Sequence, residues 1–347
     1  MSASNTLSLE PSLADIGGPA QPLITARDLT CHFPVRAGAF APKKVVRAVD
    51  GIDFTIAKGE TLGVVGESGC GKSTTARLLI GLVPVTGGRI IYDGQELGAD
   101  LSLRNLRRGV QMVFQDSFAS LNPRLTIEET IAFGPKVNGV PAAEALAIAH
   151  DLLDRIGLDP ARFAGRYPHE LSGGQRQRVN IGRALAMRPR LLILDEAVSA
   201  LDKSVEAQVL NLLDDLRRDF DLTYMFISHD LNVVRFISDR LMVMYLGEVV
   251  EVGPAEALYH KQAHPYTAAL FAAMPSMDPD ARTQVPPLAG DPPNPIDPPG
   301  GCRFHTRCPQ ASAVCGTTRP KVTTLGPGHQ VACHLHDPYS GHPEALA

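Results

Sequence analysis

No run of apolar residues in this sequence approaches the ~18–20 needed to cross a bilayer. The runs present are short, such as Leu191–Leu194 and Leu241–Leu246, so any membrane role has to come through a partner. No block of basic residues stands out either. Lys and Arg number 33 against 37 Asp and Glu, a formal net charge of −4, and nothing in that balance argues for nucleic acid as a partner. The first residues, Met1-Ser2-Ala3-Ser4-Asn5, offer neither a basic start nor a long apolar stretch, so no secretory signal is read there. The expectation is a cytoplasmic protein. There is no internal repeat and no heptad run. What is present is ordinary globular material: 347 residues, 44% hydrophobic and 20% charged. That is enough for one large domain and a smaller one.

Residues 1–21 are small, polar and proline-bearing, and read as a disordered tail. From Leu23 the pattern is α/β. Gly51–Ile56 alternates as a strand, and Thr61–Val65 runs as a strand into a glycine loop followed by a helical Thr74–Leu82. Val110–Phe114, Leu191–Leu194 and Tyr224–Ile227 read as buried strands, and Leu241–Tyr245 with Glu248–Glu251 as a hairpin about Gly247. Ile127–Phe133, Ala142–Ile156 and Gln175–Met187 have helical spacing and form a helical insertion, and Pro265–Met274 is one more helix. Nine prolines between Pro275 and Pro299 exclude a helix there. Cys302, Cys308, Cys315 and Cys333 follow, while Cys31 and Cys70 lie far upstream.

Gly66-Glu67-Ser68-Gly69-Cys70-Gly71-Lys72-Ser73 fits G-x-x-x-x-G-K-S between a strand and a helix. Its glycines let backbone N–H groups converge on phosphate oxygens, and the helix points its positive end at the same place. Lys72 reaches the β- and γ-phosphates in this reading, and Ser73 offers its hydroxyl to Mg²⁺. The bland alternative, a glycine-rich turn, does not explain the strand and helix on either side. Cys70 reads as a small residue contributing its backbone, with a redox switch as the alternative. Cys31 reads as a small filler.

Leu191–Leu194 ends in Asp195 and Glu196, two carboxylates at the end of a buried strand, where open α/β sheets carry ligands. Asp195 suits a Mg²⁺ ligand and Glu196 the group that polarises an attacking water. Taken alone, the pair would read as a cap for the next helix. Leu171-Ser172-Gly173-Gly174-Gln175 opens another helix with Ser172 as a candidate N-cap.

The loop at 66–73, LSGGQ at 171–175, LILDE at 192–196, SALD at 199–202 and SHD at 228–230 occur in that order. Together they resemble the nucleotide-binding subunits of ABC transporters over residues 22–270. The fold implied is α/β, a P-loop NTPase of the ABC nucleotide-binding type at 22–260. A helical subdomain is inserted at about 116–187, and a small cysteine-containing C-terminal extension occupies 261–347. The resemblance implies ATP and Mg²⁺ as cofactors. Gly66, Glu67, Ser68, Gly69, Cys70, Gly71, Lys72, Ser73 and Thr74 then hold nucleotide phosphates, and Phe33 stacks on adenine. Ser172, Gly173, Gly174 and Gln175 meet the nucleotide of a second subunit in a head-to-tail dimer, and Asp202 communicates across it. Gln115 contacts Mg²⁺ or water, Ser73 and Asp195 serve Mg²⁺, Glu196 is the catalytic base and His229 contacts the γ-phosphate. A soluble ABC ATPase of translation or DNA repair, or an exporter, is the competing class. The single cassette and the tail argue against both.

The tail narrows the resemblance. His264-Pro265-Tyr266-Thr267-Ala268-Ala269-Leu270, the prolines of Gly290–Pro299 and Gly301-Cys302-Arg303-Phe304-His305-Thr306-Arg307-Cys308-Pro309 look like the C-terminal extension of oligopeptide/dipeptide import ATPases, in particular their F-type subunit. Similar chains serve nickel and some glycans. The implied partners are a sister ATPase subunit, two membrane permeases and a periplasmic or extracellular substrate-binding protein. The implied place is the cytoplasmic face of the inner membrane. The cysteine spacing, C-x₅-C-x₆-C-x₁₇-C, leaves a [4Fe–4S] cluster, Zn²⁺ or free thiols open, with the resemblance favouring iron–sulfur. His305 and His334 are alternative ligands but read as surface residues.

Overall fold

Leu191, Leu192, Ile193 and Leu194 are all fully shielded from solvent, which is what an unbroken apolar run requires of a strand covered on both faces. In the computed structural model, which describes residues 13–36, 44–274 and 290–346, that run is the strand Leu191–Asp195. It pairs in parallel with Val110–Val113 in the register Val110↔Leu191 to Val113↔Leu194. The chain forms two compact units, one of residues 24–55, 61–91 and 227 onward, the other of the N-terminal segment, 56–60 and 92–226.

In the second of these, Thr223–Ile227 lies beside Leu191–Asp195. The helical block packs Ile127–Val137 with Ala142–Arg155 and Gly173–Leu185. Ala142–Arg155 buries Ala145, Ile148, Ala149, Leu152 and Leu153, the i, i+3, i+4 stripe of an amphipathic helix. Lys203–Phe220 is a long helix capped by Asp202, with Val209, Leu210, Leu213 and Leu216 inward. Tyr224 donates its hydroxyl to the Leu213 carbonyl at 2.8 Å and so ties strand to helix.

In the other unit, Lys44–Ile56, Ile24–Val35 and Gly87–Tyr92 lie side by side in that order. Thr61–Val65 runs parallel to Arg240–Tyr245, with Gly63 opposite Leu241. Arg240–Tyr245 turns back antiparallel into Glu248–Pro254 through Leu246 and Gly247. Both turn residues have positive φ, 45° and 82°, the twist a two-residue hairpin demands. Glu248–Pro254 then pairs with His329–Ala332, which pairs with Val322–Gly326. The C-terminal segment is therefore part of this sheet, though its two strands carry no alternation that marks them in the sequence. Helix Lys72–Leu79 follows the glycine loop, and Pro265–Ala272 follows the hairpin.

Of the tail expected at 1–21, residues 1–12 lie outside those described, as do residues 37–43 and residues 275–289 of the proline-rich stretch. Residues 13–21 are held. Asp15 pairs with Lys58 at 2.6 Å, and the Ile16 N–H donates to Asp93 at 2.9 Å. Asp93 is 2% exposed and sits between Lys58 at 2.8 Å and Arg190 at 2.6 Å. Burial alone raises a carboxyl pKa. Here Lys58, the Ile16 N–H and Arg190 overcome it and hold Asp93 at about 2. Stability from this group is present above the ordinary carboxylate range near pH 4 and lost as pH falls through about 2. Asp93→Asn, which leaves Lys58 and Arg190 with Asp15 as their remaining carboxylate, is expected to cost about 2–3 kcal/mol at neutral pH. Denaturant titrations should show the gap to wild type closing between about pH 4 and pH 2.

Candidate functional site

The glycine loop leaves Thr61–Val65 with three glycines at positive φ: Gly66 at 149°, Gly69 at 77° and Gly71 at 107°. Two of them also have no room. A Cβ on Gly66 would stand 2.2 Å from the Met244 carbonyl oxygen, and one on Gly71 2.3 Å from that of Ala48. Gly71 is the N-cap of Lys72–Leu79, so the first amides of that helix face the loop. The Gly247 N–H donates to the Cys70 carbonyl at 2.9 Å and fixes the loop from the hairpin side. Lys72 is 6% exposed, and its Nζ donates to the carbonyls of Gly66 at 2.6 Å and Glu67 at 3.0 Å. Cys70 is 3% exposed, and burial pushes its thiol above the ordinary range despite Lys72. It is a buried small residue and lacks the exposed, low-pKa character of a reactive thiol. Cys31 is likewise buried in its strand.

Glu67 is tied in a way no local motif announces. Its N–H donates to the Tyr266 hydroxyl at 2.8 Å, and its carboxylate takes both Arg307 Nη groups at 2.7 and 3.0 Å. Both partners come from the tail, some 200 residues or more away along the chain. Tyr266 belongs to the HPY segment and Arg307 lies between two cysteines, but nothing in the spacing connects either to residue 67. His229 is exposed, between buried Ser228 and Asp230, whose carboxylate caps Leu231–Ile237. Phe33 is 37% exposed near the end of Ile24–Val35.

In the other unit, Asp195 closes its strand at 4% exposure and Glu196 follows with φ 49°, a left-handed turn that lifts it off the strand. Ser199 holds that turn, its hydroxyl and its N–H both donating to the Glu196 carbonyl, at 2.9 and 3.2 Å. Gln115, just beyond Val110–Val113, donates its side-chain amide to the Glu196 carboxylate at 2.8 Å. Two residues 81 positions apart, singled out separately in the sequence, thus meet. Ser172 is the N-cap of Gly173–Leu185 in a reciprocal capping box with Gln175. Asp202 caps Lys203–Phe220, and the Val205 N–H and the Ser204 hydroxyl lower its pKa. Phe118 is exposed under the Arg176 guanidinium, 5.6 Å from the ring centroid.

Cys302, Cys308, Cys315 and Cys333 line one small cavity together with His264 and His334. No disulfide joins them. Burial pushes the Cys302 thiol up to about 12 and Cys333 to about 11, and neighbouring cysteines add to both shifts. His334 is 4% exposed, with its Nε2 at 2.8 Å from the Thr318 carbonyl, so the expectation of a surface histidine does not hold. It is enclosed because the segment after His329–Ala332 folds back over the cysteine loop. Among the described residues no group of three or more His, Cys, Asp or Glu side chains is arranged to hold a metal ion.

Two family models and many known proteins match this chain. The ABC transporter family model matches residues 49–199, and that of the oligopeptide/dipeptide transporter C-terminal region matches 250–315. The oligopeptide transport ATP-binding protein AppF of Bacillus subtilis is 48% identical over 90% of this chain and 97% of its own length. The probable peptide ABC transporter ATP-binding protein y4tS of Sinorhizobium fredii is 49% identical over 94% of each. This chain is an ABC transporter ATP-binding protein. Its fold accords with that of CbiO1 from Clostridium perfringens, part of the ABC transporter complex CbiONQ, at TM-score 0.59 and 26% identity over 72% of this chain and 95% of that one. ABC ATP-binding proteins are ATPases and use Mg²⁺ with ATP. Among the described residues no helix is long and apolar enough to cross a membrane.

Proposed function

We propose that this chain is the ATP-hydrolysing subunit of an ABC importer of di- and oligopeptides. One observation carries the reading: the ABC transporter region and the oligopeptide/dipeptide transporter C-terminal region follow one another in a single chain. The relatives' names point the same way. Membrane permeases are its partners. In detail, it sits at the cytoplasmic face of the inner membrane beneath two permeases, pairs with a sister ATPase, and depends on an outer binding protein to deliver the peptide. The exposed Phe118, on the segment after Gln115, faces a permease.

The residue roles follow from the chemistry at each position. Backbone amides from Gly66 to Thr74 and the Lys72 ammonium take up the phosphates, and Phe33 stacks on adenine. Ser73, Asp195 and Gln115 serve Mg²⁺. Glu196 polarises the attacking water, and its bond from Gln115 keeps the carboxylate oriented. His229 contacts the γ-phosphate. Ser172, Gly173, Gly174 and Gln175 meet the partner subunit's nucleotide at the N-terminus of a capped helix. Asp202 relays between subunits. A [4Fe–4S] cluster held by Cys302, Cys308, Cys315 and Cys333 accounts for four cysteines, two of them buried and two partly so, around one hollow without a disulfide. Burial raises the pKa of the Cys302, Cys308 and Cys333 thiols, so a bound cation is what would draw off their protons, and iron would supply one.

Three measurements test this. Glu196→Gln is expected to keep ATP binding and lower turnover by at least about 100-fold; turnover near wild type would remove Glu196 from the role of base. Protein purified without oxygen is expected to be brown and to contain iron and sulfide, whereas colourless protein with stoichiometric zinc replaces the cluster with a zinc site. Reconstituted with permeases, sister ATPase and binding protein, the subunit is expected to show turnover stimulated by peptides and indifferent to nickel chelates or glycans. Stimulation by one of those instead leaves the ATPase assignment standing and changes the cargo.

A further inference from the structure

The phosphate loop carries an acidic side chain. Glu67 follows the first glycine of a loop whose task, on the reading above, is to bind a polyanion. An unpaired carboxylate there opposes ATP. With an effective dielectric of about 20–40, a unit charge within about 10 Å of a phosphate changes binding by roughly an order of magnitude.

Arg307 meets this carboxylate with both Nη groups, at 2.7 and 3.0 Å. The ion pair is screened little by water, since the arginine side chain is 5% exposed and the glutamate 21%. The guanidinium is itself held. Its Nη1 donates to the Tyr245 hydroxyl at 3.3 Å, and its Cζ lies 5.9 Å from the centroid of that ring. Tyr245 packs with Tyr266 and Phe304 at centroid distances of 4.6 and 5.3 Å. The turn that carries Arg307 is closed by its own N–H to the Phe304 carbonyl at 2.9 Å and by His305 N–H to Cys302 at 3.0 Å. Cys308 comes next in the chain. The element that reaches the loop is therefore the cysteine-bearing segment itself. Tyr266 meanwhile takes the Glu67 N–H, so the residue is gripped by backbone and side chain at once.

We propose that Arg307 is a positioning residue for ATP binding, which draws the Glu67 carboxylate onto the cysteine-bearing segment and cancels its charge where the triphosphate docks. The inference rests on the reading of this loop as the ATP site. A purely structural brace would affect ATP and ADP alike and would not depend on salt. Charge cancellation makes different demands. The loss on removing Arg307 must be greater for ATP than for ADP, must narrow as salt rises, and must be reversed by removing Glu67's charge as well.

The test is calorimetric titration of the full-length chain with Mg-ATP and Mg-ADP at about 50 mM and about 300 mM salt. R307Q is expected to weaken ATP binding about tenfold at low salt, with a smaller loss for ADP. E67Q is expected to tighten ATP binding, and E67Q/R307Q to recover most of what R307Q loses. R307K, which keeps the charge, is expected to lose less than R307Q. Equal losses for ATP and ADP, or a double variant as weak as R307Q, overturn the proposal. If R307Q does not fold, R307K and E67Q/R307Q decide it: each is expected within about threefold of wild type, and a tenfold loss in either overturns it. A wild-type chain that binds no Mg-ATP overturns the ATP reading and this proposal with it. A wild-type chain that binds, beside an R307Q that binds equally well, overturns this proposal alone.

Discussion

Backbone pressed on backbone is the constraint from which the phosphate loop takes its shape. The Met244 carbonyl stands where a Cβ of Gly66 would be, the Ala48 carbonyl where one of Gly71 would be, and the Arg47 carbonyl 2.8 Å from the corresponding point on Gly247. A flexible side chain in any of these places could move aside. A carbonyl built into a strand cannot. The same three segments are also bonded: Gly247 N–H to Cys70 at 2.9 Å, and Asp50 N–H to Gly247 at 2.9 Å. The strand Lys44–Ile56, the hairpin turn and the loop are thus wedged together with nothing between them. Amides held this way do not have to reorganise to meet an anion, which is where a loop of soft glycines would otherwise lose affinity.

Glu196 shows the opposite arrangement, a side chain kept in place by other side chains. Its left-handed φ is unusual for a residue with a Cβ, and the turn persists because Ser199 bonds its carbonyl twice. Gln115 then orients the carboxylate. In its proposed role Glu196 directs one water molecule, and such a group gains from having few orientations to choose among. The cost of the strained backbone, about 1–3 kcal/mol for such residues, falls on a site already anchored by a fully buried strand.

Much of this was legible because it is local. A glycine loop between strand and helix, a strand ending in two acids and a capped helix at Ser172 each declare themselves within a dozen residues. The strands Thr61–Val65 and Leu191–Asp195 and the three helices of the insertion lie within a few residues of their expected limits. Lys203–Phe220 had a readable stripe in Val209, Leu210, Leu213 and Leu216, and an Asp202 cap, but Asp202 was absorbed into a motif and the helix behind it went unmarked. Val322–Gly326 gave no such chance. Its residues are half or fully exposed, Val322 at 65%, so a strand held by backbone pairing alone leaves no hydrophobic alternation. Nor could spacing show that Arg307 lies against Glu67, because only the return of the tail into the sheet makes them neighbours.

That return is organised by one buried charge. Glu251, 1% exposed on Glu248–Pro254, accepts the N–H groups of Ala263 and His264 at 2.9 and 3.0 Å and pairs with His329 at 2.8 Å. A carboxylate so deeply placed is tolerable only when its oxygens are occupied. Occupying them draws together the start of the HPY segment and the first residue of His329–Ala332. The His264 ring is then fixed in turn, since its Nδ1 accepts the Tyr266 N–H at 3.0 Å and its proton must sit on Nε2. Burial holds its pKa at about 3, so it stays neutral and keeps accepting. With His264 as N-cap, Pro265 opens the helix and Tyr266 points to the Glu67 N–H. The histidine, proline and tyrosine of this segment therefore have distinct physical duties: a neutral cap, a helix start without a stranded donor, and a hydroxyl on the phosphate loop. The tail's most recognisable letters are, in this chain, a bracket for the glycine loop.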